Sequence, residues 1–283
     1  MSATIRLVAT DLDGTLLQPD GTVTPRARAA LRAARARGLR IVIVTGRPPR
    51  GVRPLALADC TEVAICANGA LLYDLAGDRL LEQHPIPAAV AQRLVRDLRQ
   101  AAPGVVFAAE AGLSFWREPA YATGHPLDEP GGGVEDALDF ADRGLAKLLL
   151  RHPRMAQKLL LPLAEGVAGG DAVVTRSGSE LIEVSAAGVT KASALERLCA
   201  GSGVTAAEVA AIGDMVNDLS MLRWAGRAVA VANAHTDVLA AADEVIGAND
   251  ADGVAEYLEG LVAGLKSVAT IAAAFMLVVG ALG

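Results

Sequence analysis

Short, mostly apolar runs that end in polar residues constrain the fold of this sequence more than any other feature. Ile5 to Ala9 is one such run, a helical pattern extends from Pro25 to about Arg37, and Ile41 to Val44 is a second, β-branched run. Runs of this kind predict strands that are covered on both faces. A strand, a helix and a strand in this order predict a βαβ unit. We therefore expect an α/β protein with a Rossmann-like parallel sheet whose strands end at a common edge.

Two carboxylates follow the first predicted strand. Asp11 and Asp13 are separated by one residue and are followed by Gly14. Carboxylates this close repel each other unless a cation lies between them or one is protonated, and oxygen ligands on a tight loop suit Mg²⁺. A carboxylate can also attack phosphorus and form an aspartyl-phosphate. The two aspartates by themselves are also typical of a polar turn, because Asp and Gly are common turn formers.

The longer motif Asp11-Leu12-Asp13-Gly14-Thr15-Leu16 is more specific, and it resembles the first motif of the haloacid-dehalogenase-like (HAD) phosphohydrolases. Three later segments fit that family's motifs in order and position. They are Thr45-Gly46 after the second strand, Lys191 at the start of a helix, and Gly213-Asp214-Met215-Val216-Asn217-Asp218 after a strand at Val209 to Ile212. Asn68-Gly69 also resembles the Cof-like subgroup, although it is equally a common hairpin turn. The chain departs from that subgroup at Ala192 and Ala232, where glycine is usual.

The resemblance implies a role for each matching residue. Asp11 would be the nucleophile, and Asp13 would protonate the leaving oxygen and then activate water. Thr45 and Lys191 would hold phosphoryl oxygens as the remaining catalytic residues. The residues implied to bind substrate or phosphate are Gly14, Gly46, Arg47, Asn68 and Asn217. The residues implied to hold Mg²⁺ are Asp11, Asp13 through its backbone carbonyl group, Asp214 and Asp218.

A change of pattern near Pro85 predicts an insertion into the parallel sheet. Mixed helices and strands continue to Ala186, and the insertion resembles the large α/β cap of Cof-like, type II members of the family. We therefore expect a core of residues 1–84 and 187–264, a cap domain of residues 85–186, and an apolar tail of residues 265–283. Four residues in or beside a long loop of the cap are candidates for substrate contact or for packing: Trp116, Arg117, Tyr121 and His125.

Charge and cysteine content argue against two classes of protein. The formal net charge of -6 argues against a nucleic-acid partner, which requires a basic surface. Cys60, Cys66 and Cys199 have no metal-ligand spacing, and an odd number argues against a disulfide framework. Because the first residues also lack a signal-peptide pattern, we expect a cytoplasmic location.

The last residues form a second apolar feature. Residues 267–283 carry no charged side chain. About 20 apolar residues are needed to span a bilayer, and this run is slightly shorter. It predicts a weak membrane association with Lys266 at the interface, or else packing on the core or in a dimer interface. The sequence does not predict an oligomeric state.

The resemblance and the predicted Mg²⁺ site imply a Mg²⁺-dependent phosphomonoesterase. It would hydrolyse a small phosphorylated metabolite, either a sugar phosphate or a phosphorylated cofactor, through an aspartyl-phosphate at Asp11. Two alternatives stay open. A phosphomutase of the phosphomannomutase kind would return the phosphoryl group to another hydroxyl of its substrate. A catalytically inactive, membrane-attached binding protein would keep the fold without the reaction, although every catalytic position is filled.

Overall fold

The computed structural model of the chain describes residues 3–121, 133–177 and 181–265. The strands of these residues are β1 (Leu7–Thr10), β2 (Arg40–Val44), β3 (Val63–Cys66), β4 (Leu71–Asp74), β5 (Arg79–Gln83), β6 (Val106–Ala111), β7 (Ser114–Arg117), β8 (Gly133–Val134), β9 (Leu145–Arg151), β10 (Ala172–Ser177), β11 (Leu181–Ala186), β12 (Val209–Gly213), β13 (Arg227–Val231) and β14 (Glu244–Ile246). The helices are α1 (Pro25–Ala36), α2 (Pro49–Val52), α3 (Ala88–Ala101), α4 (Ala137–Phe140), α5 (Gln157–Ala168), α6 (Lys191–Ala200), α7 (Leu219–Trp224), α8 (Thr236–Ala241) and α9 (253–265). Within these ranges the strands form an eight-stranded sheet in the order β14-β13-β12-β1-β2-β3-β4-β5 and a six-stranded sheet in the order β10-β11-β9-β6-β7-β8.

The eight-stranded sheet, here called the core sheet, confirms the predicted parallel α/β fold. Its strands from β14 to β3 are parallel, and β4 and β5 extend it in antiparallel pairs. In β1, Val8 packs in one apolar cluster with α1 and α9, whereas Leu7 and Ala9 pack in a second cluster with α6 and α7. The strand is apolar at successive positions because helices cover both faces of the sheet.

Local sequence determines where two helices beside the core sheet begin. The Thr24 hydroxyl accepts a hydrogen bond from the Ala27 N–H, and proline follows it at the first helical position, as predicted. Thr190 and Ser193 form a reciprocal capping box at the start of α6. This capping box places Lys191 at the first position of α6.

The six-stranded sheet, here called the second sheet, lies between β5 and α6 along the chain and is mainly antiparallel. Side chains of one face, including Phe107 and Leu148, pack with α3 and α5. Because side chains alternate along a strand, Lys147 and its register partner Glu110 lie on the opposite face. The order of the elements agrees with the predicted insertion. The division into core and cap domains stays a prediction.

Two strands of the second sheet, β7 and β8, were not predicted, and β8 (Gly133–Val134) has only two residues. Ser114–Arg117 forms β7, so Trp116 and Arg117 lie on a strand and not in a loop. A segment of four residues is too short to show a reliable alternating pattern. β7 forms because Gly112, with a φ of +58°, lets the chain turn back and pair with β6.

The structure bears on two further predictions. Cys60, Cys66 and Cys199 are buried and form no disulfide. No helix within the three ranges given above is long and apolar enough to cross a membrane. The apolar run at 267–283 and His125 lie outside the described residues, so their predicted roles stay predictions.

Alanine substitutions at two glycines of α9 test how closely this helix packs on the loop after β14. We expect Gly253→Ala to lower the free energy of unfolding by about 1–3 kcal/mol, because the added β-carbon would overlap the Gly247 carbonyl group. Gly260→Ala is the matched control. Its β-carbon would have nothing within 4 Å, and alanine is favoured over glycine in a helix by up to about 1 kcal/mol. Urea denaturation measures both variants, and equal effects would contradict the close packing at Gly253.

Candidate active site

The end of β1 places Asp11 at the carboxyl edge of the core sheet. Its backbone N–H donates to the Ile212 carbonyl oxygen of β12 at 3.0 Å, and the residue is only 5% exposed. The chain then turns at Gly14, which has a φ of +75°. A β-carbon at Gly14 would overlap the Asp214 carboxylate. Glycine therefore allows the loop after β1 to lie against the loop after β12.

Three buried carboxylates meet at this edge. One oxygen from each of Asp11, Asp214 and Asp218 lies within 4.8 Å of the others. Burial raises the pKa of Asp11 well above its ordinary value, although Lys191 acts in the opposite direction. Burial and the neighbouring Asp218 carboxylate raise the pKa of Asp214 to about 6. Both shifts indicate that negative charge in this cluster is unfavourable without an added cation.

Lys191 supplies part of the positive charge. Its Nζ donates to Asp11 Oδ1 at 2.8 Å and to Asp218 Oδ1 at 2.5 Å. Burial alone would lower the pKa of Lys191, but the two carboxylates outweigh it and raise that pKa above its ordinary value. When all the groups are ionised, three carboxylates and one ammonium group leave a net charge of -2. Carboxylate oxygens with excess negative charge fit a hard divalent cation, and Asp11 and Asp214 are the candidate ligands for Mg²⁺.

Asp218 and Thr15 orient the loop that carries Asp214. Asp218 Oδ2 accepts hydrogen bonds from the backbone N–H groups of Asp214 and Met215, at 3.0 and 2.9 Å. Direct metal ligation by Asp218 would compete with these bonds and with its bond to Lys191. Thr15 Oγ1 donates to Asp214 Oδ1 at 2.9 Å. Sequence reasoning assigned no such contact to Thr15, and its only signal was a hydroxyl directly after the glycine of the first motif.

Asp13 lies outside this carboxylate cluster. Its exposed carboxylate pairs with Arg47, with 2.6 Å from Nη2 to Oδ1 and 2.7 Å from Nε to Oδ2. Arg47 also donates to the Gly51 carbonyl oxygen at 3.0 Å. In this conformation the predicted acid and the predicted phosphate-binding guanidinium therefore bind each other.

Four predicted site residues lie together in the loops after β2, β3 and β12. Thr45 is fully buried, and its hydroxyl accepts a hydrogen bond from the Arg47 N–H at 3.1 Å. The Asn68 N–H donates to the Thr45 carbonyl oxygen at 3.1 Å, and Asn217 Nδ2 donates to Asn68 Oδ1 at 3.3 Å. A β-carbon at Gly46 would lie 3.1 Å from Asn68 Oδ1. Thr45, Gly46, Asn68 and Asn217 are thus neighbours.

An unusual turn holds Asn68 in this position. Ala67, Asn68 and Gly69 have positive φ values of 52°, 57° and 107°. The left-handed region is unfavourable for residues with side chains, and such a conformation persists only where surrounding contacts stabilise it. A β-carbon at Gly69 would overlap the Thr190 carbonyl oxygen, so the turn also packs against the start of α6.

Two buried charged residues of the second sheet reach the same loops. Lys147 Nζ donates to the Gly46 carbonyl oxygen at 2.7 Å, and Asn68 Nδ2 donates to Glu183 Oε2 at 2.5 Å. Sequence reasoning did not propose Lys147 or Glu183 as site residues. The only signal was a charge inside each of two mainly apolar strands.

Trp116, Arg117 and Tyr121 are the predicted cap contacts that lie among the described residues. Each of them takes part in packing within the second sheet. The Arg143 guanidinium lies over the Trp116 ring, 3.8 Å from its centroid. The Tyr121 ring packs edge-on against Phe115, with 6.3 Å between centroids. Arg117 donates to the carbonyl oxygen of the next residue at 3.4 Å. These contacts favour the packing interpretation of Trp116, Arg117 and Tyr121.

Comparisons with known proteins agree with this geometry. Residues 8–258 match the family model described as haloacid dehalogenase-like hydrolase. The chain is 30% identical over 269 residues to the pyridoxal phosphate phosphatase YbhA of Escherichia coli (strain K12), a match that covers 90% of this chain and 98% of the relative. It is 32% identical over 261 residues to the 5-amino-6-(5-phospho-D-ribitylamino)uracil phosphatase YcsE of Bacillus subtilis (strain 168), covering 90% of this chain and 94% of the relative.

A solved structure has the same fold. The crystal structure of a haloacid dehalogenase-like hydrolase from Bacteroides thetaiotaomicron is 28% identical to this chain and has a TM-score of 0.76. The match covers 91% of this chain and 100% of that one. These findings confirm the resemblance inferred from the four sequence motifs. The chain therefore belongs to the haloacid dehalogenase-like hydrolase family, in which it aligns with phosphatases along most of its length.

Proposed function

We propose that this phosphatase hydrolyses a small phosphorylated metabolite with the aid of Mg²⁺ and through an aspartyl-phosphate at Asp11. The observation that carries the proposal is the position of the Lys191 ammonium group, which bridges Asp11 and Asp218 beside the Asp214 carboxylate. A buried carboxylate that is held by a lysine and lies next to a second carboxylate is suited to attack phosphorus and to bind a divalent cation.

Each residue of the cluster has a task that follows from its contacts. Lys191 holds Asp11 Oδ1 and thereby orients the carboxylate for in-line attack on phosphorus. Asp11 and Asp214 would hold Mg²⁺ together with the Asp13 backbone carbonyl group, and Thr15 orients Asp214. When bound, Mg²⁺ supplies positive charge to the cluster and to the phosphoryl oxygens.

The proton transfers are assigned to Asp13. Its side chain would leave Arg47, take up a proton and donate that proton to the leaving oxygen; the carboxylate so formed would later take a proton from the attacking water. The Arg47 guanidinium would then be free to bind a phosphoryl oxygen, as guanidinium groups commonly do. The Thr45 hydroxyl and the Asn217 amide are further donors at this place.

The relatives support the substrate class. One is named for pyridoxal phosphate and the other for 5-amino-6-(5-phospho-D-ribitylamino)uracil, and both names denote small phosphorylated compounds. We therefore propose a phosphomonoester of comparable size, either a phosphorylated cofactor or a sugar phosphate. The cytoplasmic location expected from the sequence stays a prediction.

Asp11→Asn tests the proposed nucleophile. We expect this variant to release phosphate from a panel of phosphomonoesters at least about 10³-fold more slowly than the wild type, because an amide does not attack phosphorus. Asp20→Asn is the matched control, since Asp20 is exposed and bonds to Thr22. Phosphate release is measured with Mg²⁺ for all three proteins. Activity retained by Asp11→Asn would contradict the aspartyl-phosphate.

The same reactions distinguish a hydrolase from a phosphomutase. A hydrolase releases one phosphate for each substrate molecule consumed, whereas a mutase forms an isomeric phosphate without release. Chromatography of the sugar phosphate reactions detects the isomer. We expect stoichiometric phosphate release and no isomer.

Thermal unfolding tests the proposed Mg²⁺ site apart from catalysis. After EDTA treatment and dialysis, we expect Mg²⁺ to raise the wild-type Tm, because a ligand that binds only the folded state stabilises it. Asp214→Asn should lose most of this increase, since it removes one carboxylate of the cluster. An equal increase in both proteins would exclude Asp214 as a ligand.

The metal-free proteins provide a second comparison. The folded-state pKa of Asp214 is raised from the ordinary 3.8 to about 6, so its ionisation lowers stability as the pH rises above 3.8, and the loss is complete above about 6. At pH 7 and without metal, Asp214→Asn should therefore have a higher Tm than the wild type. A lower Tm for the variant would contradict the unfavourable charge of the cluster.

A further inference from the structure

Lys147 and Glu183 form a buried ion pair that the proposed reaction does not use. Lys147 Nζ lies 2.8 Å from Glu183 Oε1, and the two side chains are 2% and 5% exposed. The residues belong to β9 and β11, the neighbouring strands of the second sheet. A buried ion pair adds little net stability, because the desolvation of both charges offsets their attraction. Stability alone is therefore a weak explanation for this pair.

Both charged groups also bond to loops of the core sheet. Lys147 Nζ donates to the Gly46 carbonyl oxygen, and Glu183 Oε2 accepts from Asn68 Nδ2. Gly46 directly follows Thr45, and the Asn68 N–H donates to the Thr45 carbonyl oxygen. Both contacts therefore end on the loops that surround Thr45.

The network continues to the loop after β12. Asn217 Nδ2 donates to Asn68 Oδ1, so one end of the Asn68 amide is held by Asn217 and the other end by Glu183. An amide with a partner at each end has a defined orientation, because its oxygen accepts and its nitrogen donates. The strained turn at Asn68 thus presents this amide between the second sheet and the loop that also carries Asp214.

We propose that Lys147 and Glu183 are positioning residues that couple the position of the second sheet to the geometry of the phosphate site. The proposal rests on the proposed function, since it takes the phosphoryl group to bind beside Thr45. When the second sheet lies against the core, Lys147 holds the Gly46 carbonyl group and Glu183 orients Asn68. The loops then offer donors that need no reorganisation during the reaction, which favours the transition state.

A second ion pair between the same two parts of the chain provides a control. Arg50 of α2 pairs with the buried Glu110 of β6, and its guanidinium lies 4.9 Å from the centroid of the Phe115 ring. These contacts also attach the second sheet to the core, but they are directed at α2. When the Glu110 charge is removed, the contacts of Lys147 with Gly46 and of Glu183 with Asn68 should still hold the second sheet in place.

The test compares Glu183→Gln, Lys147→Met and the double variant Lys147→Met/Glu183→Gln with Glu110→Gln in the full chain. The double variant keeps the test valid if a single variant fails to fold, because it leaves no unpaired charge buried. The kcat and KM are measured for p-nitrophenyl phosphate, pyridoxal phosphate and glucose 6-phosphate. The Kd of inorganic phosphate is measured by calorimetry with Mg²⁺.

We expect Glu183→Gln and Lys147→Met to lower kcat by about 10- to 100-fold, since a small misplacement of groups at a reacting centre has effects of this size. The factor should be the same for every substrate, because the pair acts on the phosphate site and not on the leaving group. Phosphate binding should weaken in the same variants. Glu110→Gln should leave kcat and phosphate binding nearly unchanged.

Two results would overturn the proposal. An equal loss of kcat in Glu110→Gln would mean that both ion pairs act only by attaching the second sheet. A loss that differs between substrates would mean that Lys147 and Glu183 contact the leaving group. A wild-type protein that releases no phosphate from any substrate would refute the proposed function instead. In that case the Kd of inorganic phosphate still decides whether the pair positions a phosphate site.

Discussion

The electrostatic balance around Lys191 is the constraint on which the rest of the site depends. Its ammonium group joins Asp11 at the end of β1 to Asp218 in the loop after β12, although Lys191 and Asp11 are 180 residues apart in sequence. Without that charge, three buried carboxylates would repel each other and take up protons. With it, the ionised cluster has a net charge of -2, which suits a divalent cation. The capping box at Thr190 begins α6 directly before this lysine, so a local feature of the sequence helps to place the charge that the site needs.

Patterns that are local in sequence were enough to predict most of the core. Continuous apolar runs identified β1, β2 and β12, because strands that are covered by helices on both faces have no polar alternation. Parallel strands end at a common edge, and the polar residues that follow them had to meet there. The structure brings Asp11, Lys191 and Asp214 together at that edge. Their chemical roles stay part of the proposed reaction.

Contacts that depend on how the two sheets lie against each other could not be predicted in this way. Lys147 is a single charge in a mainly apolar strand, and its partner Gly46 lies 101 residues earlier. No periodic pattern links two such positions. The pairing of Asp13 with Arg47 has a similar origin. Both residues belong to recognised motifs, but the partner of an exposed carboxylate depends on the conformations of two separate loops.

The order of strands in the core sheet also affects the synthesis of the chain. β1 pairs with β2 on one side and with β12 on the other, where Leu7 lies opposite Arg40 and Val209 respectively. A ribosome adds roughly 5–20 residues per second, so β12 emerges roughly 10–40 seconds after β1. Until then an apolar strand at the centre of the future sheet has one unpaired edge, and such edges pair readily with other chains. The nascent chain that precedes β12 therefore exposes a strand edge that favours pairing with other chains until β12 is synthesised.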